Sequence, residues 1–121
     1  MSTQQKAVPA KNVTPNDVRR LFPRFADANI DPNLKIVRQL TELAARRGVT
    51  AAQFALAWVR HKGPDIVSIP GTRSIPRLRE NVAAAAIELS DDEAGMLEEI
   101  APIGAAAGER YGVPMMQHID R

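Results

Sequence analysis

Residues 64–81 read PDIVSIPGTRSIPRLREN, and this stretch decides what the chain can be. Gly63-Pro64 breaks whatever precedes it. Asp65-Ile66-Val67-Ser68-Ile69 is short and rich in β-branched residues, which predicts a strand over about 65–69. Pro70-Gly71-Thr72-Arg73-Ser74 is a turn that runs into a helix from about Ile75 to Ala86. Leu78, Val82 and Ala85 are its expected inner face, with Arg77, Glu80 and Asn81 together on the opposite one at helical spacing. A strand, a glycine turn and a helix N-terminus bearing hydroxyls and arginines suit a phosphate, because unpaired N–H groups and the positive dipole end gather there. Gly71 lets the backbone come close, and Thr72 and Ser74 offer hydroxyls. Arg73 and Arg77 supply charge in a fork that grips phosphate oxygens in pairs. Glu80 and Asn81, one turn on, can hydrogen-bond a base edge. Each also has a plainer role: Ser74 as a helix cap, Arg77 in a surface pair with Glu80 or Glu88, and Asn81 bonded to nearby backbone. Arg79 lies off this face and reads as solvated.

Working outward, the neighbours are helical. Thr50 with Gln53 forms a capping box for a helix from Ala51 to about His61. Ala51, Phe54, Ala55, Leu56, Ala57, Trp58 and Val59 make it apolar almost all round, so it is packed on more than one side. Upstream, Asp31-Pro32 opens a helix carrying Ile36, Val37, Leu40, Leu43 and Ala44 at helical spacing, stopped by Arg46-Arg47-Gly48. Thr14-Pro15-Asn16-Asp17 reads as another helix start, soon broken by Pro23. Downstream, Ser90 with Glu93 is a second capping box, for a helix to about Ile100. The last twenty residues are rich in Gly and Ala and carry Tyr111, Met115 and Met116. Residues 1–12 read as a disordered tail. A lone strand cannot stand by itself, and the chain offers no second clear one.

With 121 residues, 45% of them hydrophobic and 19 of those alanine, the chain supports one small core. No cysteine is present, which excludes disulfides and thiolate metal sites. The two histidines, His61 and His118, are too few for a histidine-rich metal centre. No apolar run spans a membrane and no secretory signal is evident, so the expected location is cytoplasmic. Residues 1–60 hold ten Lys and Arg against four Asp and Glu, and residues 61–121 hold six against ten. No aromatic residues interleave with the basic ones, so these charges read as solvated helix faces.

The segment resembles the C-terminal cofactor-binding signature of the aldo-keto reductases, NADP-dependent oxidoreductases built on a (β/α)8 barrel. GVTAAQFALAWVRHKGPDIVSIPGTRS is similar to the family's penultimate helix, eighth strand and following loop. LREN, the capped helix of SDDEAGMLEEI, the tail GERYGVPMM and the earlier DPNLKIVRQLTELAARRG continue the likeness over residues 13–121. The resemblance implies an α/β chain, mostly helical with one clear strand, that forms the C-terminal portion of a TIM barrel. It implies that Gly71, Thr72, Arg73 and Ser74 hold the NADP 2′-phosphate with Arg77, and that Glu80 and Asn81 lie near the adenine. A lysine often stands where this chain has Gly71, which leaves Arg73 and Arg77 as the main cations. Phosphate sites of such barrels also cluster after strands 7 and 8.

The family's catalytic Asp, Tyr, Lys and His belong to its N-terminal two-thirds. Tyr111, His61 and His118 do not match them, so no catalytic residue is expected here and the chain alone is expected to be inactive. His61 reads as a helix-end residue, and Tyr111 as a packing residue or part of a lid. A separate chain supplying the missing barrel is a further expectation. Two other readings compete. A small nucleic-acid-binding helical protein would use GVTAAQFALAW and RSIPRLREN as a helix-turn-helix, but that motif joins its helices by three or four residues, and about thirteen intervene here. An interaction protein would dock through its all-apolar helix.

Overall fold

Three start and stop signals in the sequence are realised as hydrogen bonds, and they set the helices. The computed structural model describes residues 14–119. It contains α1 (Asp27–Arg47), α2 (Ala51–His61), α3 (Ile75–Ala83), α4 (Asp91–Ile100) and a short α5 (Val113–Met116), with 3-10 turns at Val18–Leu21, Pro23–Phe25 and Ala84–Ala86. At the start of α2, the Thr50 hydroxyl accepts the Gln53 N–H at 3.1 Å, and Gln53 Oε1 accepts the Thr50 N–H at 3.1 Å. Ser90 and Glu93 repeat this at α4, at 3.1 Å in both directions. That N–H from Ser90, helped by the Arg47 guanidinium, holds the Glu93 carboxyl below its ordinary range. At the end of α1, Gly48 takes φ 76°. Val49 N–H then reaches Ala44 O at 3.1 Å and Gly48 N–H reaches Ala45 O at 3.0 Å. This is the doubled helix stop that a glycine permits.

The chain divides into two units. One comprises residues 39–100. Its core is Leu43, Ala44, Phe54, Ala57, Leu89 and Leu97, with Leu40, Val49, Trp58, Ile87 and Ile100 packed against it. Phe54 is wholly buried. The rest of α2 from Ala51 to Val59 is half-buried, as its all-round apolar surface predicts. Lys62 stacks on the Trp58 ring at 4.6 Å and pairs with Glu98. His61 closes α2, with Nε2 3.3 Å from Asp91 Oδ1.

The other unit comprises residues 14–38 and 101–119. Asn33 is its clasp. Its Nδ2 donates to Arg24 O at 3.0 Å and Ala107 O at 2.9 Å, while its Oδ1 accepts the Ala107 N–H at 2.7 Å. Gly108 follows at φ 84°, where a Cβ would stand 2.8 Å from Pro23 backbone atoms. Tyr111 meets Phe22 edge-to-face at 5.6 Å, which bears out the packing role. Asp17 caps the first 3-10 turn through the Arg19 N–H at 2.9 Å and receives the Arg19 guanidinium at 2.6 Å. That guanidinium, first among the causes, brings its carboxyl down to about 2.

Several expectations are corrected. The expected strand at 65–69 is absent, and no strand forms among the described residues. A strand exists through ladder bonds to a neighbour, and the backbone of residues 67–73 makes no hydrogen bond to any described residue. A partial barrel with one strand is therefore not what this fold shows; it is helical. The helix expected from Asp31-Pro32 begins one turn earlier, at Asp27, with Pro32 inside it. Ala26 O takes the N–H groups of Asn29 and Ile30, so the added turn is closed before the proline is reached. The start read at Thr14 moves to Asp17, whose carboxylate captures Arg19. The predicted tail, residues 1–12, lies outside the described residues.

The largest correction concerns α3. Leu78 and Val82, its expected inner face, are 51% and 65% exposed, and Ala85 is exposed too. Ala84 is buried instead, and Glu80 and Asn81 are half-buried. The helix therefore presents its polar face inward. The cause is what α2 offers it: the capped N-terminus supplies donors to Glu80, whereas the described residues supply no sheet to cover an apolar stripe.

Candidate functional site

The candidate site is built where the loop 62–74 meets α3. Ser74 is the N-cap of α3: its Oγ accepts the Arg77 N–H at 3.4 Å. Thr72 Oγ1 in turn accepts the Ser74 N–H at 3.1 Å. Both hydroxyls thus do the plainer job as well, yet each keeps its own proton to donate. Pro76 is in the first turn of α3 and brings no N–H to it. The anion-binding capacity of this end therefore rests more on side chains than on backbone.

Those side chains are Arg73 and Arg77, both exposed. Neither guanidinium pairs with a carboxylate among the described residues. The surface pairs anticipated for Arg77 are taken up elsewhere. Glu88 lies 3.9 Å from Arg60, and Glu80 is engaged by Thr50. Over Gly71, apart from its own atoms and its two chain neighbours, no heavy atom of the described residues lies within 4 Å of where a Cβ would be, so this stretch of backbone is open to an incoming group. An anion with several oxygens suits two unspent guanidinium forks flanking a capped helix start. On this test the residues fit a phosphate.

Glu80 and Asn81 behave differently from the arginines. Thr50 Oγ1 donates to Glu80 Oε1 at 2.5 Å, and Gln53 Nε2 donates to Glu80 O at 3.0 Å. Asn81 is half-buried beside it. The structure thus joins Gly71, Thr72, Arg73, Ser74 and Arg77 at one end of α3, and holds Glu80 onto the start of α2. Thr50 and Gln53 were legible in the sequence as a cap; their reach to a residue thirty positions later was not. No pattern of spacing signals it.

No group of His, Asp and Glu among the described residues could hold a metal ion, and no helix among them is long and apolar enough to cross a membrane. The connection between α2 and α3 is thirteen residues long, from 62 to 74, which does not favour a helix-turn-helix.

Comparison with known proteins decides the family. The model of the aldo/keto reductase family matches residues 2–102. The chain belongs to the aldo/keto reductase family. It is 42% identical over 101 residues to "Probable aldo-keto reductase 1" of Glycine max, covering 84% of this chain and 29% of that protein. It is 38% identical over 96 residues to "Aldo-keto reductase str7" of Strobilurus tenacellus, covering 79% of this chain and 29% of that one. The chain thus spans less than a third of the length of these aldo-keto reductases. No solved structure matches it.

Proposed function

We propose that residues 71–81 of this chain are the part of an aldo-keto reductase site that holds the 2′-phosphate and adenosine of NADP(H). Arg73 and Arg77 would take the phosphate with Gly71, Thr72 and Ser74, and Glu80 and Asn81 would lie toward the adenine. The observation that carries this reading is the pair of unspent guanidinium groups beside the capped start of α3, within a segment whose family is established. NADPH, when bound, supplies a hydride to an aldehyde or ketone. The chain's own part is to grip and orient the far end of the cofactor. The catalytic tetrad belongs to residues this chain does not carry: its single tyrosine, Tyr111, is packed on Phe22. Alone, the chain is inactive as a reductase.

The rest of the (β/α)8 barrel is supplied from outside residues 14–119, in longer sequence or by a separate chain. Two features support this. Val67 and Ile69 are 81% and 92% exposed on a backbone that makes no hydrogen bond to any described residue, and the outward stripe of α3 is Ile75, Leu78 and Val82. A parallel sheet would cover both. The protein would act in the cytoplasm.

The test is an amide ¹H–¹⁵N spectrum of the chain titrated with NADPH and, in parallel, NADH. Selective shifts at Gly71 to Asn81 with NADPH are expected. Equal responses to both cofactors, or shifts confined to other residues, would overturn the reading.

A further inference from the structure

We infer that Thr50 and Gln53 are positioning residues for the phosphate site, acting through Glu80. This rests on the phosphate reading proposed above. The geometry is a closed ring of four hydrogen bonds: Thr50 N–H to Gln53 Oε1 at 3.1 Å, Gln53 N–H to Thr50 Oγ1 at 3.1 Å, Thr50 Oγ1 to Glu80 Oε1 at 2.5 Å and Gln53 Nε2 to Glu80 O at 3.0 Å. All three residues are half-buried, so water competes poorly for these bonds. The Thr50 hydroxyl thus accepts from the start of α2 and spends its one proton on the Glu80 carboxylate.

The ring fixes the roll of α3 about its own axis. Two forces compete for that roll. The stripe Ile75, Leu78 and Val82 gains by turning inward. The ring, with Ala84 seated in the core side, holds the polar face there instead. Arg77 stands three residues before Glu80, about 60° round the helix from it. Whatever sets the direction of Glu80 therefore sets the direction of Arg77, and with it the distance between the Arg77 and Arg73 forks. A phosphate held by two guanidinium groups is sensitive to that distance in a way that a single charge is not. Thr50 and Gln53 touch no ligand in this scheme. They decide whether the two arginines converge.

Four proteins test it, each the full chain: wild type, Thr50→Ser, Thr50→Val and Thr50→Asp. Serine keeps both the cap and the link. Valine loses both without adding charge. Aspartate keeps a strong cap but has no proton for Glu80. Binding of 2′,5′-ADP and of 5′-ADP is measured by calorimetry, and protection of the Phe54 and Leu78 amides by hydrogen exchange. In wild type and Thr50→Ser, a preference for 2′,5′-ADP is expected. In Thr50→Val and Thr50→Asp, that preference should fall by about fivefold, as the loss of one hydrogen bond implies, with Phe54 still protected in Thr50→Asp. An undiminished preference in both, beside a wild type that prefers 2′,5′-ADP, overturns the positioning role alone. A wild type indifferent to the 2′-phosphate overturns the phosphate reading and this inference with it.

Discussion

Consider the two faces of α3, tested by exchanging their burdens. Leu78 is 51% exposed and Ala84 is 1% exposed. A Leu side chain taken fully from water contributes about 1.5–3 kcal/mol, so Leu78 contributes about half of that at most. Leu78→Ser should therefore cost about 1 kcal/mol, part of it helix propensity. Ala84→Leu inserts three carbons where the chain is already closed. Overpacking of that kind costs about 1–3 kcal/mol, and here it also pushes α3 away from Thr50 and Gln53. The order should thus be Ala84→Leu worse than Leu78→Ser, against what the apolar period of the helix suggests. Urea unfolding followed by the fluorescence of Trp58, the single tryptophan, measures both in one unit. A Leu78→Ser variant that loses more than about 2 kcal/mol, beside an Ala84→Leu variant that loses nothing, would refute the inward polar face.

Other consequences are equally measurable. Phe54→Ala, at the one fully buried large side chain among the described residues, should cost about 3–5 kcal/mol and leave residues 39–100 unfolded or nearly so by circular dichroism. Asp17 should titrate near 2 by carbon NMR. Its folded value lies below the unfolded one of 3.8, so its contribution is present above pH 3.8 and fades as pH falls toward 2. Arg19→Met should move Asp17 up toward the ordinary carboxylate range but leave it below, because the residue 19 backbone N–H still donates to its carboxylate. Gly108→Ala meets Asn29 Nδ2 at 2.7 Å and Pro23 backbone at 2.8 Å, at a φ alien to L-residues. It should release the Asn33 clasp, seen as faster exchange of the Ala107 amide.

What the sequence made legible was local chemistry. Thr50 with Gln53, Ser90 with Glu93, and Gly48 after two arginines each name a helix end, because a cap is satisfied within three or four residues. The all-round apolar α2 likewise announced its place in the core. Pairing over distance was not legible. Ile66 to Ile69 has strand composition but no strand to pair with among the described residues, and composition cannot supply one. The stripe of Leu78 and Val82 has the right period for burial, yet the partner that α2 actually offers is polar. At the site, Thr72, Ser74, Arg73 and Arg77 could be read from their order alone. The tie of Glu80 to Thr50 could not, since nothing near Glu80 hints at a hydroxyl thirty residues earlier. Asn33 was silent for the same reason, its partners being backbone atoms.

The bare run from Val67 to Arg73 also governs how this chain behaves in company with itself. Exposed β-branched residues on a backbone that bonds to no described residue are a template for like-with-like stacking, the seed of fibrous precipitates. The template is short. Pro64 and Asp65 stand on one side, and Pro70 and then Arg73 on the other, so only four residues, Ile66 to Ile69, are offered between a charge and a proline. Stacking needs windows of about five to seven such residues, and flanking charges and prolines act as gatekeepers against it. Concentrated stocks should therefore cloud slowly rather than at once. Replacing Asp65 and Pro70 by valine would lengthen the window to six and turn a tolerable liability into a fast-gelling one.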